Sequence, residues 1–235
     1  ALVLCAVALV ASLAGAEDPP SGAWLGADDR PLPLTGHDEV EEFLRSAAVV
    51  SVSPLRTGIT GPRKLLLERD GIRAHAVFKT VDETRHGITR LRGLVLVDLR
   101  DSHLYDCAAY QLDRLLELDR VPPSVPRQLK GEDGTVTLWI ERTIMDRDRR
   151  ERRLEPPDAI RWEQQKRIMY VFDNLIGNVD SNLGNILIDR GWRLWLIDHT
   201  RAFNSNRALL EPRVLTRCER GLFRALEQLD EAEAR

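Results

Sequence analysis

Residues 186–189 and 193–197 are two short apolar runs joined by Arg190-Gly191-Trp192. Such a pair reads as a β-hairpin. Pairing Asp189 with Arg193 puts Asn185 opposite Ile197, one residue from Asp198; a two-residue loop shifts this register by one. Either way Asn185 and Asp198 lie together at the open end of one ribbon, where directly opposed Cβ atoms are about 5 Å apart. Asp180 precedes Asn185 by five residues, on the loop leading into the hairpin.

Two oxygen donors so placed can share one hard cation such as Mg²⁺ or Mn²⁺, together with phosphate oxygens. The order Asp-x-x-x-x-Asn, then strand, turn, strand and Asp, is the layout of a phosphoryl-transfer site. In it Asp180 accepts the proton of the attacking hydroxyl, and Asn185 and Asp198 hold metal against the nucleotide phosphates. Positioning and charge neutralisation do most of the remaining work. The competing structural reading is a glycine- and asparagine-rich turn that ends a helix and starts a hairpin.

The residues Leu175-Ile176-Gly177-Asn178-Val179-Asp180, Gly184-Asn185-Ile186-Leu187 and Ile197-Asp198 resemble the atypical protein-kinase-like superfamily. Its members include phosphatidylinositol 3-/4-kinases, secretory-pathway kinases of the Golgi casein kinase type and HipA-like bacterial kinases. The first segment is most like the secretory-pathway kinases, and the second and third are most like the lipid kinases. The strong resemblance spans about residues 168–203, and a weaker one reaches back to about 57. It implies an α+β, two-lobed kinase-like fold with a β-rich N-lobe and a mainly helical C-lobe. It further implies ATP in the cleft, a divalent metal, Asp180 as catalytic base, and Asn185 and Asp198 as metal ligands. Ser181-Asn182 stands where these families often carry Arg-His or Arg-Asn, and His199-Thr200 follows the metal Asp in place of Phe-Gly.

Such a fold needs a strand Lys for the α/β-phosphates and an acidic partner on the next helix. Lys79 ends the strand Ala74-His75-Ala76-Val77-Phe78, and Asp106 opens the next helix. Related chains usually carry Glu there; Asp is one methylene shorter and needs the helix closer. Glu117 is the fallback. Thr57-Gly58-Ile59-Thr60-Gly61 reads either as a plain turn or as a phosphate cover, with Gly58 and Thr60 offering backbone N–H groups. Leu138-Trp139-Ile140-Glu141 reads as the strand entering the hinge, where backbone at Glu141 meets adenine.

The rest of the pattern supports two lobes meeting near residue 142. A helix is expected over 37–48, with Val40, Phe43 and Leu44 on one side. Strands are expected over 48–52, 64–69, 72–80, 94–99 and 135–141; Asp70-Gly71 is a hairpin signal. Helices are expected over 105–118 and 158–175, the latter with Ile160, Ile168, Val171, Phe172 and Leu175 as its apolar face. Between them, Arg147, Arg149, Arg150, Arg152 and Arg153 sit among acids, as a solvated loop with internal ion pairs or as a surface for an anionic substrate.

The chain of 235 residues carries 34 basic and 37 acidic side chains, a net charge of −3 that gives no reason to expect nucleic acid. Three cysteines without a CxxC spacing exclude a zinc ribbon; Cys107 and Cys218 are left as a candidate pair. Residues 1–16 carry no charge and end in Ala14-Gly15-Ala16. They are short of the about 20 residues a membrane span needs. The pattern is that of an export signal, a buried helix being the alternative. On this reading 17–36 is a flexible leader, 37–141 and 142–235 are the lobes, the mature chain has no stable membrane span, and the protein is exported or lumenal, or cytoplasmic if 1–16 is no signal. Three functions follow: a kinase acting on a protein, lipid or small-molecule hydroxyl; a nucleotide-binding regulatory module with little catalysis; or a non-catalytic scaffold domain, which makes Lys79, Asp180, Asn185 and Asp198 coincidental.

Overall fold

The computed structural model describes residues 24–55, 61–91, 93–204 and 209–229. The expected export signal, 1–16, lies outside them. Helix α1 (His37–Ser46) leads into strands β1 (Ala48–Pro54), β2 (Arg63–Arg69) and β3 (Ile72–Lys79). A long hairpin follows, β4 (Asp82–Leu91) with β5 (Leu94–Ser102), then helix α2 (Leu104–Leu115) and strands β6 (Ser124–Leu129) and β7 (Glu132–Leu138). The C-terminal half holds β8 (Ile144–Met145), α3 (Asp146–Glu151), α4 (Ala159–Leu175), β9 (Ile186–Ile188), β10 (Leu194–Leu196) and α5 (Arg220–Gln228).

The main sheet runs β1-β2-β3-β7-β6, antiparallel throughout. Asp70 and Gly71 take φ of 52° and 78°, which a two-residue hairpin turn requires. Alternation sends Leu65, Leu67, Ala74, Ala76 and Phe78 to one face, where Val40, Phe43 and Leu44 of α1 cover them. Burying each large side chain contributes roughly 1.5–3 kcal/mol. By the same alternation Lys79 falls on the opposite face from Phe78. Strand β6 is the sheet edge, and that is why it tolerates Pro126.

A second core joins Trp162, Met169 and Phe172 of α4 to Ile186, Ile188, Leu194 and Leu196 of a small sheet ordered β10-β9-β8. Ala109 and Tyr110 of α2 belong to this core, so α2 is shared between the halves.

Several expectations are corrected. The strand expected over 135–141 ends at Leu138; Glu141 lies beyond it. The apolar face of α4 is as expected in part: Phe172 is buried and Ile168 and Val171 pack against the second core, but Ile160 is 75% exposed, and Trp162, Gln165, Met169 and Asp173 are buried instead. The buried Gln165 holds the hairpin, accepting from Leu194 N at 3.0 Å and donating to Trp192 O at 2.8 Å. Residues 24–36 do not hang free as a flexible leader. Gly26 N donates to Arg30 O and Ala27 N to Arg73 O, and Leu32 is buried in the first core. The charged segment after 142 contains α3, whose Asp146 takes Arg149 at 2.5 Å and Arg150 at 3.1 Å. Cys107 and Cys218 are free thiols.

Gly134 in β7 has no room for a side chain: a Cβ would overlap the Phe78 ring and the Lys79 carbonyl oxygen. Gly134→Ala is expected to lower stability by about 1–3 kcal/mol, read from the midpoint of urea unfolding.

Candidate active site

The ammonium of Lys79 lies between two carboxylates. It donates to Asp106 Oδ2 at 2.8 Å and to Asp198 Oδ1 at 2.7 Å. Burial alone would push this amine down; Asp106 and Asp198 outweigh burial and hold it above its ordinary value. The Asp106 side chain reaches because the start of α2 is fastened beside Lys79. Thr135, the β7 partner of Lys79, donates from Oγ1 to His103 O at 2.8 Å and touches Cys107 Sγ at 3.3 Å. The shorter acid is thereby brought close enough, and Glu117, which follows α2, is not needed. The second Asp106 oxygen accepts the His199 N–H at 2.7 Å, which ties the helix to the chain just past Asp198.

Asp198 follows β10 at φ 63°, a conformation Asp tolerates better than most residues at a cost of roughly 1 kcal/mol or more. Burial opposes ionisation of its carboxyl, and the Lys79 ammonium more than reverses this, holding it below the usual range. His199 is fully buried against Phe172, and burial pushes its imidazole down to about 4, so it is neutral at ordinary pH.

The hairpin takes the three-residue-loop register, with Leu196 opposite Ile186 and Ile197 N donating to Asn185 O at 3.0 Å. Asn185 therefore shares the open end with Asp198. Its Nδ2 donates to Asp180 O at 3.1 Å, which leaves Oδ1 as the acceptor atom of the amide. Two more asparagines fix the Asp180 backbone: Asn178 Oδ1 accepts its N–H at 3.1 Å, and Asn182 Nδ2 donates to its carbonyl at 2.9 Å. Asn182 Oδ1 also accepts Gly184 N at 2.8 Å. The Ser181-Asn182 pair thus braces the loop. The Asp180 carboxylate takes Arg201 Nη1 at 2.9 Å.

Glu141 Oε1 meets His75 Nδ1 at 2.5 Å. His75 and Lys79 are four residues apart in β3, hence on one face. Gly58 and Thr60 lie outside the described residues.

No motif in the sequence assigns a role to Asp173, Asp101 or Arg201. Asp173 bridges the loop, accepting from Ser181 Oγ at 2.6 Å and Asn178 Nδ2 at 2.9 Å. Its signal was an acid in step with Trp162 and Met169 on the buried stripe of α4. Arg201 gave only a weak one, a lone cation before Ala202-Phe203. A cavity of about 450 Å³ opens beside this loop, lined by Ser181, Asn182, Asp173, Arg149, Arg150 and Lys166.

No protein-family model matches this sequence, and no curated protein matches it by sequence. Solved structures match in fold. Hydra Fam20, solved with sugar, aligns at TM-score 0.58 and 16% identity over 81% of this chain and 74% of that one. The Golgi casein kinase aligns at TM-score 0.57 and 13% identity over 82% of this chain and 64% of that one. Its structure with Mn/ADP bound aligns at TM-score 0.54 and 15% identity, over 81% and 64%. This chain has an atypical protein-kinase-like fold. The sheet with α1 and α2 is its N-lobe, and the small sheet with α3 to α5 is its C-lobe. The chain spans just under two thirds of the Golgi casein kinase.

Burial raises the Asp173 carboxyl from 3.8 to about 6, against the hydrogen bonds from Ser181 and Asn178 that lower it. The folded state therefore binds a proton that the unfolded state has released between about pH 4 and 6. Stability from this group is largest below that window and falls as pH rises through it. Asp173→Asn is expected to flatten this segment of the stability profile, read by urea unfolding from pH 4 to 7.

Proposed function

We propose that this chain transfers the γ-phosphoryl group of ATP to a hydroxyl acceptor, with Mg²⁺ or Mn²⁺. The observation that carries the reading is Lys79 held between Asp106 and Asp198, with Asn185 beside Asp198 in the register of one hairpin. The Golgi casein kinase with Mn/ADP bound supports it as a kinase of like fold carrying a nucleotide and a metal.

The donor set fits a hard divalent cation. Asp198 offers an ionised, partly exposed carboxylate and Asn185 an amide oxygen. Among the described residues no group of three His, Cys, Asp or Glu side chains forms an ion site. Asp198 and Asn185 would hold such a cation, leaving places for phosphate and water oxygens, as Mg²⁺ prefers. A divalent cation held by these residues would supply neutralisation of phosphoryl charge.

The chain's own residues do the remainder. Lys79 turns from Asp198 toward the α/β-phosphates while Asp106 keeps it oriented. Glu141 and Trp139 follow β7 where its backbone meets adenine. Asp180, fixed by three asparagines, accepts the proton of the incoming hydroxyl. The charge-free segment 1–16 favours an exported or lumenal protein, and the described residues contain no helix long and apolar enough to cross a membrane. One feature favours the regulatory-module reading instead: Ser181-Asn182 stands where the families this loop resembles often carry Arg-His or Arg-Asn.

The test is mass spectrometry after incubation with ATP and Mn²⁺ or Mg²⁺, on the chain itself and on model acceptors. Transfer of one phosphoryl group is expected. Asp180→Ala should abolish transfer but keep the thermal shift from Mn²⁺ and ADP, and Asp198→Ala should lose both. Full transfer by both variants would sink the assignment. A nucleotide shift without transfer to any acceptor would establish the regulatory module.

A further inference from the structure

Arg201 stands three residues after Asp198, and its guanidinium is held from two sides. Nε donates to Asp101 Oδ2 at 2.7 Å and Nη1 to Asp180 Oδ2 at 2.9 Å. Its side chain is 14% exposed and that of Asp101 is 6% exposed. A guanidinium fork fixes direction as well as charge, because its donors lie in one rigid plane.

The anchor is a strand residue. Asp101 sits near the end of β5, opposite Glu83 of β4, and Ser102 N donates to Thr200 O at 2.8 Å. The same ribbon packs on the loop: Leu96 and Leu99 bury against Val179, the neighbour of Asp180. One hairpin therefore buttresses Asp180 twice, through Val179 and through Arg201. A strap poised to open would be exposed and singly held; this cation is largely covered and doubly held.

Resting on the phosphoryl-transfer reading, we propose that Arg201 is a positioning residue. By bridging Asp101 and Asp180, it fixes the Asp180 carboxylate toward the acceptor hydroxyl, with the β4–β5 ribbon as its support. The buried Asp101 carboxylate needs this partner, since its other oxygen, Oδ1, is buried without a hydrogen bond among the described residues. Lysine would replace the bridge only in part, having a point charge and no planar fork.

The experiment compares Arg201→Gln, Arg201→Lys, Asp101→Asn and the Arg201→Gln/Asp101→Asn double variant in the full chain. Arg201→Gln should lower kcat about ten- to hundredfold, the scale of a small misplacement. KM for ATP should stay within about twofold, since nucleotide binding does not use this contact. Arg201→Lys should recover part of the loss. Asp101→Asn should mimic Arg201→Gln, and the double variant should be no worse than the poorer single. An unchanged or raised kcat in Arg201→Gln, or additive losses, would overturn the proposal. If Arg201→Gln fails to fold, Arg201→Lys and Asp101→Asn carry the comparison. A second measurement needs no turnover. Melting temperatures of Asp180→Asn, Arg201→Gln and their double variant should depart from additivity by about 2 °C or more. Additive melting would overturn the bridge. A wild-type chain that transfers nothing would sink the phosphoryl-transfer reading, while non-additive melting would still uphold the bridge, so the two failures are told apart.

Discussion

A buried ammonium is tolerable only when carboxylates and hydrogen bonds replace its lost water, and Lys79 meets that condition with oxygens from two other segments. Strand β3 brings the cation, α2 brings Asp106, and the chain after β10 brings Asp198. Asp106 also accepts the His199 N–H, so one carboxylate fastens the N-lobe helix to the C-lobe ribbon. The contact at the centre of the candidate site thus also holds the two lobes together. Removing either carboxylate would leave charge under protein rather than under solvent.

A second triad has the same plan. Asp101, Arg201 and Asp180 repeat the order of Asp106, Lys79 and Asp198: a buried anchor carboxylate, a largely covered cation, and a more accessible carboxylate in front. In the first the cation belongs to the N-lobe, and in the second to the C-lobe. Each triad carries one more negative charge than positive. The front of the site is therefore anionic, a field that attracts cations. The asparagines 178, 182 and 185 complete it at no cost in charge, using amides to fix the Asp180 backbone.

Much of this was legible from residues alone, for identifiable reasons. The hairpins on Asp70-Gly71 and on Arg190-Gly191-Trp192 carry turn chemistry and clean apolar runs. Order along the chain pairs Lys79 with Asp106, and the two side chains meet at 2.8 Å. Ribbon β4 was missed because its residues are almost all exposed and polar, so no alternation marks it. Strand β6 was hidden by Pro126, which reads as a breaker until the strand is known to be an edge. The face of α4 is legible only in part, because its buried stripe includes Gln165 and Asp173, polar groups whose partners lie in other segments.

The sequence by itself determined the local devices: which runs pair as hairpins, which loop carries Asp180, and that Asn185 and Asp198 share one ribbon end. Those follow from period, turn residues and spacing, all short-range quantities. Only the tertiary structure decided that α2 approaches closely enough for an aspartate to reach Lys79, that Asp173 spans the loop from beneath, and that Arg201 joins Asp101 to Asp180. These contacts cross 27 to 119 positions for Lys79 and 21 to 100 for Arg201. No local pattern encodes such separations, because they are fixed by how the two cores pack rather than by the residues beside each group.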